Sequence, residues 1–193
     1  MKDSNNYKKY VFFFLIGLLL GFAIYALIAI LSTSSFSLSS VSVIPIPAPI
    51  SVQTVFSPEE GYEIIGLIDS AKESIDIEMY VFTSDEIADA LKRAHDRGVK
   101  IRLILEKRVA TEENPKNYNE LTAYGIEVKW ASRNYKLTHA KFMIIDGKRI
   151  LVGSHNFSNA AMNDNRETSV IIENVKTVSE FNDVFENDWE IAS

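Results

Sequence analysis

The stretch LTHAKFMIIDGKRILVGSHNFS, residues 137–158, decides how this chain is read. Apolar residues fill 142–145 and 150–152 on either side of Asp146-Gly147, a pair that suits a type I′ β-turn because both central positions need positive φ. With those two residues as the whole loop, opposed residue numbers total 293. Ile145 then faces Lys148, Lys141 faces Val152, His139 faces Ser154, and Leu137 faces Asn156. Side chains alternate along a strand, so His139, Lys141, Ser154 and Asn156 are expected on one face, at the end remote from the turn. Asp146 falls at the turn, on the other side. Burying a lysine without an anionic partner is costly. A cation, an imidazole, a hydroxyl and a carboxamide at one spot therefore imply an anion, most simply phosphate.

Working outward, strand and helix patterns alternate. A short β run ends at Phe56, and Ser57, Pro58, Glu59 and Glu60 supply the N-cap, first-turn proline and first-turn acids of a helix to about Lys72. Residues 75–82 alternate as a strand. Ser84 caps the amphipathic DEIADALKRAHDRG, with Gly98 as its C-terminal stop. Strands follow at 99–106 and 126–130, the second after a helix near 118–124. Beyond the hairpin come a strand at 167–173 and a closing helix over about 175–190. The expected fold is α/β: a mixed β-sheet covered by helices on both faces, with the hairpin supplying antiparallel content.

Ahead of this domain, residues 11–31 run 21 positions without a charge, close to the ~20 needed to cross a bilayer. Lys2, Lys8 and Lys9 precede the run, and no charge follows it until Glu59. The positive-inside rule keeps residues 1–10 in the cytoplasm and carries the rest across as a single-pass protein. The competing reading, secretion after signal cleavage, expects a shorter apolar region of ~7–15 residues. Gly17 and Gly21 have a small-xxx-small spacing that allows close helix approach. Residues 32–51, rich in Ser and carrying Pro45, Pro47 and Pro49, read as an extended tether, leaving 52–193 as the domain. The chain has no cysteine, which excludes disulfides, thiolate metal sites and cysteine nucleophiles. Its net charge of −6 argues against coating nucleic acid by global positive charge, though not against a local basic site.

His139 to Asn156 matches HxKxxxxDxxxxxxGSxN at every defined position, and on those residues the chain resembles the phospholipase D superfamily, most closely its small single-motif nucleases. The likeness in layout covers about 52–190. In-line displacement at phosphorus needs a nucleophile on one side and an acid for the leaving oxygen on the other, and imidazole, with an ordinary pKa of ~6.5, suits both. Two histidines are thus required. His95 reads as a solvated helix residue, and His155, with the wrong strand parity for the cluster, reads as loop or opposite-face structure. The second imidazole is therefore expected from a second copy, with one phosphate on the two-fold axis of a homodimer. The resemblance implies the same shared site, with a phosphohistidine intermediate and neither metal nor other cofactor. It also implies phosphate contacts from Lys141 and Asn156 with Ser154 assisting, and Glu167 as the carboxylate that orients the histidine. Asp146, although a motif member, reads as structural.

The substrate is read from charge. Residues 127–149 hold six basic residues (Lys129, Arg133, Lys136, Lys141, Lys148, Arg149) against Glu127 and Asp146, a local net of +4 that points to nucleic acid. A solvated charged loop is the plainer alternative. Tyr135 and Trp130 are candidates for base stacking, or equally for core and rim. The membrane anchor keeps a phospholipid hydrolase or phosphatidyl transferase as the enzymatic alternative. A non-catalytic polyanion-binding protein is the third.

Overall fold

The computed structural model describes residues 3–33, 50–109 and 113–193. The chain divides into two units, one holding the N-terminal helix and the other the sheet. Helix α1 (Asp3–Thr33) contains the apolar span Tyr7–Ile30, which by length and composition is able to cross a membrane. At 1.5 Å per residue the span is about 36 Å long, against a hydrocarbon core of ~30 Å. Most of the expected tether, 34–49, lies outside the described residues.

The second unit is built on seven strands: β1 (Ser51–Ser57), β2 (Ser74–Met79), β3 (Lys100–Leu105), β4 (Glu127–Trp130), β5 (Lys141–Ile145), β6 (Arg149–Gly153) and β7 (Glu167–Glu173). Their order in the sheet is β1-β7-β6-β5-β2-β3-β4. Strands β2, β3 and β4 are parallel, and the remaining pairs are antiparallel. The helices are α2 (Glu63–Asp69), α3 (Asp85–Asp96), α4 (Glu113–Tyr124), α5 (Asn159–Asn163) and α6 (Val175–Ile191). Alternation in the strands makes two cores. Ile75, Ile77, Leu103, Leu105, Met143, Ile145 and Leu151 pack with Ile64, Leu67, Leu91 and Leu121 of α2, α3 and α4. Ile104, Phe142, Ile144 and Ile150 face the other way, onto Val178 and Phe185 of α6. The expected mixed sheet with helices on both faces is what forms.

Three local expectations need correction. The first is the hairpin register, where Ile145 pairs with Arg149 and Phe142 with Val152, so opposed numbers total 294. Asp146 and Gly147 do take positive φ (54° and 59°), and Lys148 N donates to Ile145 O at 2.9 Å, but Lys148 is a third loop residue. The Asp146 carboxylate explains the docking of this turn. It accepts N–H bonds from Lys72, Glu73 and Ser74 (2.7–3.2 Å), while Asp146 N donates to Ser74 O at 2.8 Å. The ladder thus ends at Phe142–Val152, with Lys141 alongside Gly153, and the expected pairings of Lys141 with Val152 and His139 with Ser154 do not occur.

The second correction concerns Ser57, which stays in β1 opposite Glu167 instead of capping a helix. Its hydroxyl donates to Asn165 O (2.8 Å) and accepts from Glu167 N (3.2 Å), so the helix starts later, at Glu63. The third is α4, which begins at Glu113, well before the expected 118. By contrast Ser84 caps α3 through Ile87 N, and Gly98 has φ 86°, both as expected.

Candidate active site

Apart from Asp146, the polar residues of the motif gather where β5 begins, β6 ends and β7 begins. The strap 131–140, which carries no regular structure, delivers His139 to this end. His139 lies against Tyr80, which follows β2, with ring centroids 4.4 Å apart. Lys141 Nζ sits 3.4 and 3.3 Å from the two ring nitrogens of His139, donates to His139 O at 3.1 Å, and lies 5.1 Å from the centre of the Tyr80 ring. Burial pushes the Lys141 ammonium below its ordinary pKa, and the nearby Glu167 carboxylate opposes that shift. A half-buried ammonium of this kind favours an incoming anion.

Ser154 and Glu167 form the second half of the cluster. Ser154 Oγ donates to Glu167 Oε2 at 2.5 Å and accepts from Thr168 N at 2.9 Å. Asn165 Nδ2 reaches Glu167 Oε1 at 3.3 Å. The hydroxyl expected to assist on phosphate is therefore engaged in fixing Glu167. Among the described residues Glu167 bonds to Ser154 and Asn165, and no hydrogen bond joins it to His139. Asn156 Oδ1 is buried without a partner among the described residues. Gly153 is required by packing: a Cβ there would lie 2.3 Å from Ser169 Oγ and 2.4 Å from Thr168 O.

His155 lies in the irregular segment after β6, one of its two expected placements, and it is buried. The shifted register removes the parity argument against it, and the residue sits beside the site with Nδ1 2.7 Å from Ser169 Oγ. Burial pushes its pKa down, against the pull of Glu167, and Nε2 has no partner among the described residues. His95 sits on α3 against Tyr124, with ring centroids 5.8 Å apart, and is not part of the cluster. Asp146 lies at the opposite end of the hairpin, bound as described above.

The basic segment does not converge as a block. Lys148 pairs with Glu73 and Arg149 donates to Ser70 Oγ, both near the turn, while Lys129 Nζ donates to Trp189 O. Arg133 and Lys136 are on the strap with His139 and are exposed. Beside the strap, a hollow of about 380 Å³ is lined by Lys107, Arg108, Trp130 and Arg133, among others. Of the two aromatic candidates, Trp130 is stacked on Tyr118 (4.2 Å, 8° between planes), and Tyr135 OH is 3.2 Å from Asp188 Oδ1.

Four residues that sequence reading passed over complete the frame. Glu106, fully buried after β3, binds Arg108 and Thr138 N, and Asn114 of α4 donates to Tyr80 O and Glu106 O. Tyr80 supports His139. The visible signal was a carboxylate closing the apolar run VKIRLIL with an arginine two positions on.

Comparison with known proteins places the arrangement. The family model described as cardiolipin synthase, PLD-like domain, matches residues 64–189. A Rickettsia prowazekii protein named phospholipase D is 32% identical over 193 residues, spanning 94% of this chain and 92% of that one. A mitochondrial cardiolipin hydrolase of Chlamydomonas reinhardtii is 27% identical over 135 residues, 70% of this chain and 60% of that protein. Among solved structures, the phospholipase D family member Nuc of Salmonella typhimurium superposes with a TM-score of 0.71 at 32% identity, covering 75% of this chain and 97% of that one. With a family model matching well over half of its length, and with a relative 32% identical over nearly all of it, this chain belongs to the phospholipase D superfamily of phosphodiesterases.

Proposed function

We propose that the chain is a membrane-anchored endonuclease that hydrolyses nucleic-acid phosphodiester bonds without a metal, in a site shared by two copies. Residues 1–10 are cytoplasmic, 11–31 span the membrane, 32–51 are the tether, and 52–193 form an extracytoplasmic catalytic domain. An imidazole nitrogen of His139 attacks phosphorus, the P–O ester bond breaks, and the leaving oxygen takes a proton from His139 of the second copy. Water then cleaves the P–N bond, with that second imidazole accepting its proton. Lys141 and Asn156 hold the phosphate oxygens as charge develops on them, and Ser154 acts through Glu167.

The observation that carries the nucleic-acid reading is the strap itself. Arg133 and Lys136 precede His139 with no acid between 131 and 141, and Lys107 lines the adjoining hollow. Such a surface suits a polyanion that extends beyond the reacting phosphate. Within the domain, β1 pairs Ser51 with Glu173 and Ser57 with Glu167, so its first strand starts at the turn end and the site lies at the other, about 20 Å along the strand.

Phospholipid hydrolysis or transfer is the second reading, favoured by the names of the curated relatives and by the apolar helix. The full chain in detergent, incubated in EDTA with labelled single-stranded DNA, duplex DNA, RNA and cardiolipin vesicles, separates the two. Cleavage of nucleic acid that His139→Asn lacks is the expected result. Turnover of lipid alone would replace the nuclease reading, and strict dependence on added metal would refute the histidine mechanism.

A further inference from the structure

The strap that carries His139 has no helix or strand to fix it, yet its backbone is held at three points by one ion pair whose carboxylate is buried. Glu106 Oε1 accepts from Arg108 N and Nε, each at 2.7 Å, and Oε2 accepts from Arg108 Nη2 and Thr138 N, each at 2.8 Å. The guanidinium spends two of its three remaining donors on the strap: Nη1 on Tyr135 O at 2.9 Å and Nη2 on Ser132 O at 3.1 Å. Thr138 immediately precedes His139. On the other side of His139, Ala140 O accepts from Tyr80 N at 3.0 Å, and Asn114 holds the Tyr80 carbonyl at 2.8 Å. Both neighbours of the histidine are thus pinned, one to the exit of β3 and one to the exit of β2.

The Glu106 carboxylate is fully buried while the Arg108 side chain stays 34% exposed. Burying a carboxylate is costly unless it is paired and hydrogen-bonded, and here every bond that compensates it comes from Arg108 or from the strap. Burial by itself would push the Glu106 carboxyl up, but the bonds from Arg108 and the two backbone N–H groups outweigh it and hold the group below its ordinary pKa. The pair is therefore charged at neutral pH, and its planar fork fixes direction as well as distance.

We propose that Glu106 and Arg108 are positioning residues for the phosphodiesterase reaction, holding the strap so that the His139 imidazole meets phosphorus in line. This rests on the reading of His139 as nucleophile and adds to it which residues outside the motif set its aim. Neither side chain touches the reacting atoms. Displacing a reacting group by about 1 Å can cost on the order of 10²-fold in rate.

The test uses the full chain in detergent with bis(p-nitrophenyl) phosphate, a diester too small to depend on the polyanion surface. Arg108→Lys keeps the charge and loses the fork, and Glu106→Gln keeps the shape and loses the charge. Each is expected to lower kcat by roughly 10- to 100-fold with KM unchanged, and to shift and broaden the His139 ring-proton NMR signals of protein that is still folded by circular dichroism. Unchanged kcat together with unchanged His139 signals in folded variants would overturn the proposal. If the native chain does not hydrolyse the diester, the functional reading fails. The His139 signals of the variants then decide the clamp by themselves, because a merely structural pair would lower the melting temperature and leave them in place.

Discussion

The two ends of the β5–β6 hairpin are built from similar polar letters and have opposite fates. At the turn end, Asp146 is saturated: three backbone N–H groups converge on its carboxylate, and Lys148 and Arg149 each find a partner. At the open end, Lys141 is half-buried against an imidazole, Asn156 Oδ1 and His155 Nε2 lack partners among the described residues, and burial depresses Lys141. Buried polar groups in proteins are nearly always satisfied, so a cluster that is not marks a place prepared for something else. The difference separates the part of the motif that holds the fold from the part that, on the proposed function, binds phosphate.

Substitutions sharpen this contrast. At the open end, His139→Asn is expected to reduce diester hydrolysis by roughly 10³-fold or more at unchanged melting temperature, read by steady-state kinetics. Lys141→Met comes next, with a loss on the order of 10²- to 10³-fold in kcat, because it removes the cation that meets developing charge. It is also expected to leave the fold intact or slightly stabilised, since a depressed ammonium is lost from a partly buried place. A Lys141→Met protein that unfolds would put that residue with the scaffold instead.

At the turn end the order of effects reverses. Asp146→Ala strands the N–H groups of Lys72, Glu73 and Ser74 and is expected to cost about 3 kcal/mol of stability in denaturant titration, with the rate of the folded fraction unchanged. Its acid dependence has a defined sign. Burial alone would raise the Asp146 carboxyl, but the bonds from Glu73, Ser74 and Lys72 outweigh it, so the folded pKa lies below the unfolded one. The stabilisation is present above the unfolded value and disappears as pH falls through the folded one. Asp146→Ala should therefore differ most from native near neutrality and least in strong acid.

The smallest effect belongs to neither end. Glu78, in β2 under α6, is pushed up to about 8, first by burial and then by Asp188. Asp188 in turn meets the strap through Tyr135 OH. Here the folded pKa is above the unfolded one, so the domain loses stability as pH rises toward 8. Glu78→Gln should remove that slope and leave the variant more stable than native by about 2 kcal/mol at pH 8 relative to pH 6, as read by thermal melts. A native protein whose melting temperature is flat across that range would contradict a raised Glu78 carboxyl.

How much of this was legible beforehand depended on range. Alternation of apolar residues fixed the strands, and local signals placed Ser84 as a cap and Asp146-Gly147 as a turn. The one-residue register error arose because the turn docks on Lys72, Glu73 and Ser74, more than seventy positions away. Ser57 misled in the same way, since its hydroxyl serves Asn165 and Glu167 across the sheet and not the helix next to it. At the site, the grouping of His139 with Lys141 was readable from spacing, but the bond from Ser154 to Glu167 was not, because it spans two strands. Arg108 and Glu106 reach the strap from 24 to 32 positions away and Tyr80 from 60, with Asn114 acting through Tyr80 and Glu106, and no local periodicity announces such contacts. Charge density was the least dependable guide: Lys148 and Arg149 counted toward a basic groove in sequence, and folding carries them to the far end of the hairpin.

The most direct test is to trap the covalent intermediate. Full-length native protein mixed with substrate and quenched in base, which preserves phosphohistidine, is digested and mapped by mass spectrometry. The account predicts a phosphoryl adduct on the peptide bearing His139, absent from His139→Asn, formed in EDTA and carrying the mass of a nucleotide fragment. An adduct on His155, or turnover with no adduct on any histidine, would contradict it.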